Sequence, residues 1–250
     1  DANWAGTRKS NECILILTEG DSAKSMAVSG LSVVGRDKYG VFPLKGKVMN
    51  VKDASKPQIM NNSEITNLKK IIGLETGKVY NNTNPLRYGK VMIMTDQDHD
   101  GSHIKGLVMN VFHTLWPSLL DLGFITSMIT PIIKATKGKK VKSFYTLTEY
   151  GDWKGKTNDK WNIKYYKGLG TSNAKEAREY FQDIKLNNYI VNEMTDNSMN
   201  LAFNKKLAND RKEWLYKYDE NHILNHNEKD IQIDEFINKE LIHFSNSDTL

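Results

Sequence analysis

The chain of 250 residues has a single cysteine, Cys13, and that one sits inside an apolar run. No disulfide framework and no cysteine-based zinc site can be built from it, and an intracellular protein is expected. No apolar run approaches the length of a membrane span, and no signal peptide is read at the start. There is no internal repeat and no low-complexity tract; the Asn-rich patches at 61–62, 81–84 and 187–197 read as loops. Charge is not strongly one-sided either: the net value is +5, with an isoelectric point near 9.0. That mild basic bias permits contact with nucleic acid without proving it.

A hydrophobic fraction of 39% and a charged fraction of 26% suit a globular chain long enough for one large domain or two small ones. Its most informative stretch is Val91 to Gly101. The apolar run Val91 to Met94 reads as a buried strand, followed at once by Asp96, Asp98 and Asp100 at alternating positions and by Gly101 to turn the chain. Carboxylates crowded at the tip of a buried strand repel one another and lose hydration, which a cation among them relieves. An oxygen-only ligand set favours Mg²⁺ or Ca²⁺ over zinc or copper. A calcium-binding EF-hand would need Glu at the twelfth loop position, which is Leu107, and a helix before Asp96. A phosphatase of the haloacid dehalogenase type would place its nucleophile at Asp96, but usually has Thr or Val where Asp100 stands. A solvated acidic turn is the bland alternative.

Elsewhere, Cys13 to Leu17 reads as a strand, with a helix begun by Asp21 or Ser22 and closing near Gly30. Glu19 then ends its strand as Asp96 does. If the two strands are parallel neighbours, both carboxylates meet at the carboxyl edge of an α/β sheet. Tyr39 to Val51 is expected to be extended and then a loop carrying Lys45 and Lys47. Ser63 to Ile72 reads as a helix stopped by Gly73, and Asn81 to Gly89 as a loop. Leu107, Val108, Val111, Phe112, Leu115 and Leu119 recur at helical spacing, with Pro117 ending or kinking the helix. Phe124 to Ile133 is a further apolar strand region. Lys134 to Lys142 is expected to be an exposed loop. Phe144 to Leu147 and Trp161 to Tyr166 are expected to be strands separated by a polar turn at 151–159. Helices are expected at Ala174 to Ile184, Leu201 to Tyr218 and Ile231 to Phe244, the last without a partner of its own. Residues 1–11 read as a polar lead-in and 218–229 as a linker. The alternation points to the α/β class.

Three stretches appear in order: Glu19-Gly20-Asp21-Ser22-Ala23, Pro43-Leu44-Lys45-Gly46-Lys47, and Asp96 through Leu107. Together they resemble the TOPRIM domain of type IIA DNA topoisomerases. Tyr165 to Thr171, Leu201 to Leu215 and Phe236 to Leu241 are similar to the eukaryotic branch of that family, and the resemblance covers nearly the whole chain. It implies a Rossmann-like TOPRIM core over 10–133 and an α+β extension over 134–220. Residues 221–250 would be a linker and the first helix toward a winged-helix domain. It also implies an ATPase region before the segment and a winged helix after it with an Arg-Tyr pair. None of the eleven tyrosines here follows an arginine in such a context. The segment reads as a fragment holding one half of a cleavage site, inactive by itself.

By the same resemblance, Glu19, Asp96 and Asp98 are the Mg²⁺ ligands (Mn²⁺ or Ca²⁺ substituting) and carry the chemistry, with Asp100 beside them. Glu19 is also the general acid/base for a leaving hydroxyl. The plainer readings are a helix-start carboxylate for Glu19 and a turn-capping residue for Asp100. Lys45, Lys47, Val48, Lys167, Arg211 and Lys212 fall where the family meets double-stranded DNA. Lys45 stands where the family often has Arg, so a bidentate contact there becomes a point charge. Solvated lysines and an exposed helix face are the rival readings for these positions. A carboxylate-only site needs neither His99 nor His103 as a ligand; His103 is read as structural or supporting, and Asp21 as a helix cap. The Gly-Leu-Gly turn at 168–170 lacks the third glycine of a dinucleotide fingerprint. The resemblance further implies a homodimer, ATP bound outside this segment, a tyrosine from the partner subunit, and a nuclear protein. A different Mg²⁺-dependent phosphoryl-transfer protein, or a DNA- or metal-binding module without chemistry, is the alternative.

Overall fold

The computed structural model describes residues 1–249. Its first half alternates strand and helix: β1 (Ile14–Glu19), α1 (Asp21–Val34), β2 (Tyr39–Leu44), α2 (Lys56–Asn61), α3 (Ser63–Ile72), β3 (Lys90–Met94), α4 (His99–Leu115), α5 (Pro117–Asp121) and β4 (Ile125–Met128). The second half holds β5 (Ile133–Lys137), β6 (Lys140–Phe144), α6 (Leu147–Lys154), β7 (Asn162–Tyr165), α7 (Ala174–Gln182), β8 (Leu186–Ile190), α8 (Thr195–Phe203) and α9 (Ala208–Tyr216). It closes with β9 (Asp230–Gln232), α10 (Ile233–Phe236), a π-helical turn (Ile237–Leu241) and α11 (Ile242–Thr249).

Six strands form the main sheet in the order β2-β1-β3-β4-β8-β9. The first four are mutually parallel, β8 runs antiparallel to β4, and β9 runs parallel to β8. The period of two along each strand divides the core into layers. Leu15, Leu17, Val91 and Ile93 join α4 residues such as Leu107, Val108 and Phe112 on one face. Ile16, Met92 and Met94 turn to the other face, against Met26 and Ala27 of α1 and Ala177 and Phe181 of α7. Both faces of the parallel strands are therefore covered, as an α/β sheet requires.

The structure corrects the reading of several segments. The lysine-rich stretch 134–142 is not a loop; it belongs to the antiparallel hairpin β5–β6, which β7 completes as a separate three-stranded sheet. The expected strand to Leu147 ends at Phe144, and the turn at 151–159 begins inside α6, which Thr146 caps by accepting from the Glu149 N–H at 3.1 Å. Residues 187–190 form most of β8 instead of a loop, since Asn187 is buried with its amide donating to the carbonyls of His226 and Glu228. The helix expected over 201–218 is two, broken at Asn204. The expected helix over 231–244 begins as an edge strand, and α10, the π turn and α11 do have partners: they pack on α4, α8 and α9. The first helix runs past Gly30 to Val34, and Ala2 in the expected lead-in is buried, its N–H donating to the Tyr88 hydroxyl. The short helix α2 buries none of its side chains, so no apolar periodicity marks it in the sequence.

Candidate metal centre and nucleic-acid groove

β1 and β3 are hydrogen-bonded parallel neighbours with Thr18 opposite Met94, so Glu19 and the Thr95–Asp96 corner leave the same edge of the sheet side by side. The chain then turns directly into α4. Asp98 is its N-cap, its Oδ1 accepting from the Gly101 N–H at 2.7 Å. A side chain at residue 101 would put a Cβ 2.0 Å from the Asp96 carbonyl oxygen, so only glycine lets the helix start this close to the strand end. Asp96 itself is held from a distant loop: the Leu169 N–H donates to its Oδ1 at 2.7 Å, and Gly168 lies flat against its carboxylate. Asp100 points outward to Lys47, Nζ to Oδ1 3.1 Å, an exposed ion pair.

The four carboxylates share one electrostatic neighbourhood. Burial and then the charges of Asp96, Asp98 and Asp100 raise the Glu19 carboxyl above its ordinary range, against a smaller opposing effect of Lys47. Among the described residues, no three Asp, Glu, His or Cys side chains are drawn together closely enough to hold an ion. The reasons are local: Asp98 caps a helix, Asp96 leans on Leu169 and Asp100 on Lys47. The donor set nevertheless fits a hard divalent cation. It is all oxygen, it stands at the sheet edge, and Asp96 and Asp98 each use one carboxylate oxygen in the hydrogen bonds described, so a second can face a metal.

The expected nucleic-acid contacts do not all converge. Lys47, Val48 and Arg211 line one groove of about 360 Å³ with Asn50, His103 and Phe244. Val48 is buried, so only its backbone can serve a ligand. The Arg211 guanidinium donates to the carbonyls of Leu201 at 2.9 Å and Asn204 at 2.7 Å, which ties it to the end of α8 and leaves part of its fork for the groove. Lys45 is exposed beside Gly46, whose φ of +130° suits glycine. Lys167 is exposed next to the Gly168 contact with Asp96, and Lys212 is exposed away from the groove. His103 stacks on Phe244 with centroids 4.0 Å apart, and burial pushes it down to about 4, so it is neutral at ordinary pH. Tyr88, which does follow an arginine, is fully buried.

Sequence reasoning missed two supports of the site. One is the amide of Leu169, invisible because a backbone donor carries no sequence signal. The other is a buried network behind α4. Ser102 Oγ lies 3.2 Å from the Asp98 carbonyl oxygen and 2.7 Å from Glu240 Oε2. Lys105 Nζ reaches the same oxygen at 2.7 Å, and His226 Nε2 reaches Glu240 Oε1 at 2.8 Å. Burial alone would raise the Glu240 carboxyl, but Lys105 and His226 outweigh it and hold it well below the usual range. A lysine at position 105, flanked by Ile104 and Leu107 on an apolar helix face, was the available clue that a buried partner exists.

No helix of the described residues is long and apolar enough to cross a membrane. The Toprim domain family profile matches residues 14–129, and that of the C-terminal associated domain of TOPRIM matches residues 128–249. DNA topoisomerase 2-alpha of Mus musculus is 53% identical over 268 aligned positions, which cover 99% of this chain and 18% of the mouse protein. For DNA topoisomerase 2-beta of Homo sapiens the identity is also 53%, over 99% of this chain and 16% of the human protein. Among solved structures, the DNA-binding, cleavage and re-ligation domain of Plasmodium falciparum topoisomerase II superposes with a TM-score of 0.96 at 52% identity. That match takes in 100% of this chain and 35% of the other. The chain therefore belongs to the Toprim family, as a Toprim domain joined to its C-terminal associated domain in the form found in eukaryotic type II DNA topoisomerases.

Proposed function

We propose that this chain is the metal-binding part of the DNA cleavage and religation core of an ATP-dependent type II topoisomerase, an isomerase that passes one duplex through a transient break in another. Glu19, Asp96 and Asp98 are the ligands of Mg²⁺, and Asp100 lies beside them or acts through water. Lys45, Lys47, the backbone at Val48, Lys167, Arg211 and Lys212 meet the DNA backbone, positioning it by charge and hydrogen bonding without reading its sequence. In the whole enzyme, a nuclear homodimer, the attacking tyrosine comes from the partner subunit, and ATP binds in a region outside this chain. Residues 10–133 act as the Toprim core, 134–220 as its extension, and 221–250 as the passage toward a winged-helix domain.

The observation that carries this reading is the placement of Glu19, Asp96, Asp98 and Asp100 at one sheet edge, with the Glu19 carboxyl raised by burial and then by those neighbouring charges. A raised carboxyl can hold a proton at the moment an alcohol leaves. As the tyrosine oxygen bonds to phosphorus and the bond to the 3′ oxygen breaks, Glu19 gives its proton to that oxygen; on religation it takes the proton back. A bound Mg²⁺ would stabilise the negative charge that gathers on the departing oxygen. Lys47 compensates phosphate charge once the Asp100 contact opens, and Leu169 keeps Asp96 oriented.

Calorimetric titration of the chain with Mg²⁺ and with Mn²⁺, wild type against Asp96→Asn and Asp98→Asn, tests the reading. Loss of the binding event in both variants is expected. Equal binding by all three proteins would move the ion away from the strand tip and overturn the assignment.

A further inference from the structure

On the side of α4 away from the strand tip, three elements bring a lysine, a histidine and an aspartate into line. Lys52 lies in the loop after β2, His113 in the last turn of α4, and Asp196 in the first turn of α8. Lys52 Nζ is 2.9 Å from His113 Nδ1 and 2.8 Å from Thr114 Oγ1, and His113 Nε2 is 2.7 Å from Asp196 Oδ1. The partners determine the tautomer. An ammonium can only donate, so Nδ1 accepts; a carboxylate can only accept, so Nε2 carries the hydrogen. The imidazole is thus neutral, its free lone pair aimed at the amine and its N–H fastened by a carboxylate. Nucleophile, base and orienting acid stand in the order that activated nucleophiles require.

The lysine is also held in place. Its own N–H donates to Asn50 Oδ1 at 3.2 Å, and Asn50 is fastened to α4 by the Asn110 amide at 2.9 Å and to the Phe203 carbonyl at 2.9 Å. Val51 beside it is buried. Its amine meets a neutral ring nitrogen and the Thr114 hydroxyl, with the carboxylate of Asp196 on the ring's far side.

We propose that Lys52 is a reactive amine, with His113 as its proton acceptor and Asp196 orienting that imidazole, and that it is a site of acylation by small acyl thioesters. The neutral amine attacks the thioester carbonyl carbon. A carbon–nitrogen bond forms, the carbon–sulfur bond breaks, the surplus proton on nitrogen passes to His113 Nδ1, and the thiolate recovers it as thiol. The products are an amide on Lys52, free thiol and the neutral imidazole again, with no oxidant or reductant involved. Burial of the ammonium, only partly offset by Asp196, supports this independently by pushing Lys52 down to about 8. At pH 7.5 an amine with that value is neutral in about a quarter of molecules, against about one in a thousand for an ordinary lysine.

The test is incubation of the chain with acetyl-coenzyme A at pH 7.5, with the acetylation rate of each lysine followed by peptide mass spectrometry. The exposed residues Lys139, Lys156 and Lys212 serve as comparators. Lys52 is expected to acetylate at least tenfold faster than these, and to drop to their rate in His113→Gln. Asp196 is exposed, so Asp196→Asn keeps the fold even if the histidine variant does not, and it should slow Lys52 severalfold while sparing the comparators. A Lys52 rate at or below the comparators in the wild-type chain would overturn the proposal. So would a fast rate that Asp196→Asn leaves unchanged, since the relay would then play no part.

Discussion

The loop that carries Gly168 sits on Asp96 so tightly that a single methyl group tests whether it orients the metal ligand. In Gly168→Ala the new Cβ would lie 2.9 Å from both Cγ and Oδ1 of Asp96 and 3.1 Å from Oδ2. The backbone there is extended, φ −169° and ψ −177°, so alanine is conformationally welcome and the effect is purely steric. Either the carboxylate or the loop must retreat by roughly half an ångström in a region packed like a solid. That retreat lengthens the Leu169 N–H to Asp96 bond, now 2.7 Å, a contact to a charged acceptor of the kind that contributes about 1.5–3 kcal/mol. Loss of a group that supports a metal ligand typically lowers affinity about 10–100-fold. Calorimetry with Mn²⁺ should therefore show a drop of that order in Gly168→Ala, with unchanged circular dichroism. Affinity within about twofold of wild type, or an increase, would show that the amide does not orient Asp96 for the ion.

Three further outcomes follow from the packing. Glu176 is held down to about 2, because Lys164, Tyr166, the Asn173 N–H and Lys134 together outweigh the effect of burial. Its contribution is complete above the unfolded value and is lost as pH falls from about 4.5 toward 2; at about 1.4 kcal/mol per unit this is about 3 kcal/mol. Glu176→Gln should flatten the stability–pH curve in that acid window, and an unchanged slope in denaturant titrations would refute the assignment. Glu240→Gln leaves Lys105 buried opposite a neutral amide and should lower unfolding free energy by about 3–5 kcal/mol, measured by urea denaturation. In Gly30→Ala the Cβ would meet Phe181 Cδ2 at 2.2 Å, so α1 and α7 must separate. A loss of about 1–3 kcal/mol is expected, and a neutral substitution would mean that the two helices are not packed as described.

How far the fold was legible depended on whether burial was achieved by apolar side chains. β1, β3 and α4 carry apolar residues at periods of 2 and 3.6, and with them the placement of Glu19, Asp96 and Asp98 could be read in advance. β8 could not, because one of its two buried positions is filled by Asn187, whose burial is made tolerable by hydrogen bonds to residues 226 and 228 far along the chain. The hairpin β5–β6 was hidden by its lysines, most of which face water while Lys134 turns to Glu176, on a small sheet whose apolar side rests Ile133, Ala135, Phe144 and Ile163 against the aromatic residues of α6. α6 did announce itself through the Thr146–Glu149 pair, a helix-start signal that the glycine at 151 obscured. The nucleic-acid positions show the opposite limit. Their residue types were readable, but that Lys47 and Arg211 share a groove while Lys212 lies outside it is a matter of tertiary geometry.

The outer edge of the six-stranded sheet is supplied by β9, well after β8 in the chain, and Glu240 follows it. A polypeptide released from the ribosome only as far as β8 would already contain Lys105 within α4, but not the carboxylate that neutralises it, and the β8 edge would stand open to pairing with another chain. The Toprim portion and the segment after it are therefore expected to fold as one cooperative unit. Limited proteolysis within 218–229 would then loosen the strand tip some distance away, because the cut frees the element whose glutamate keeps the far end of the network closed.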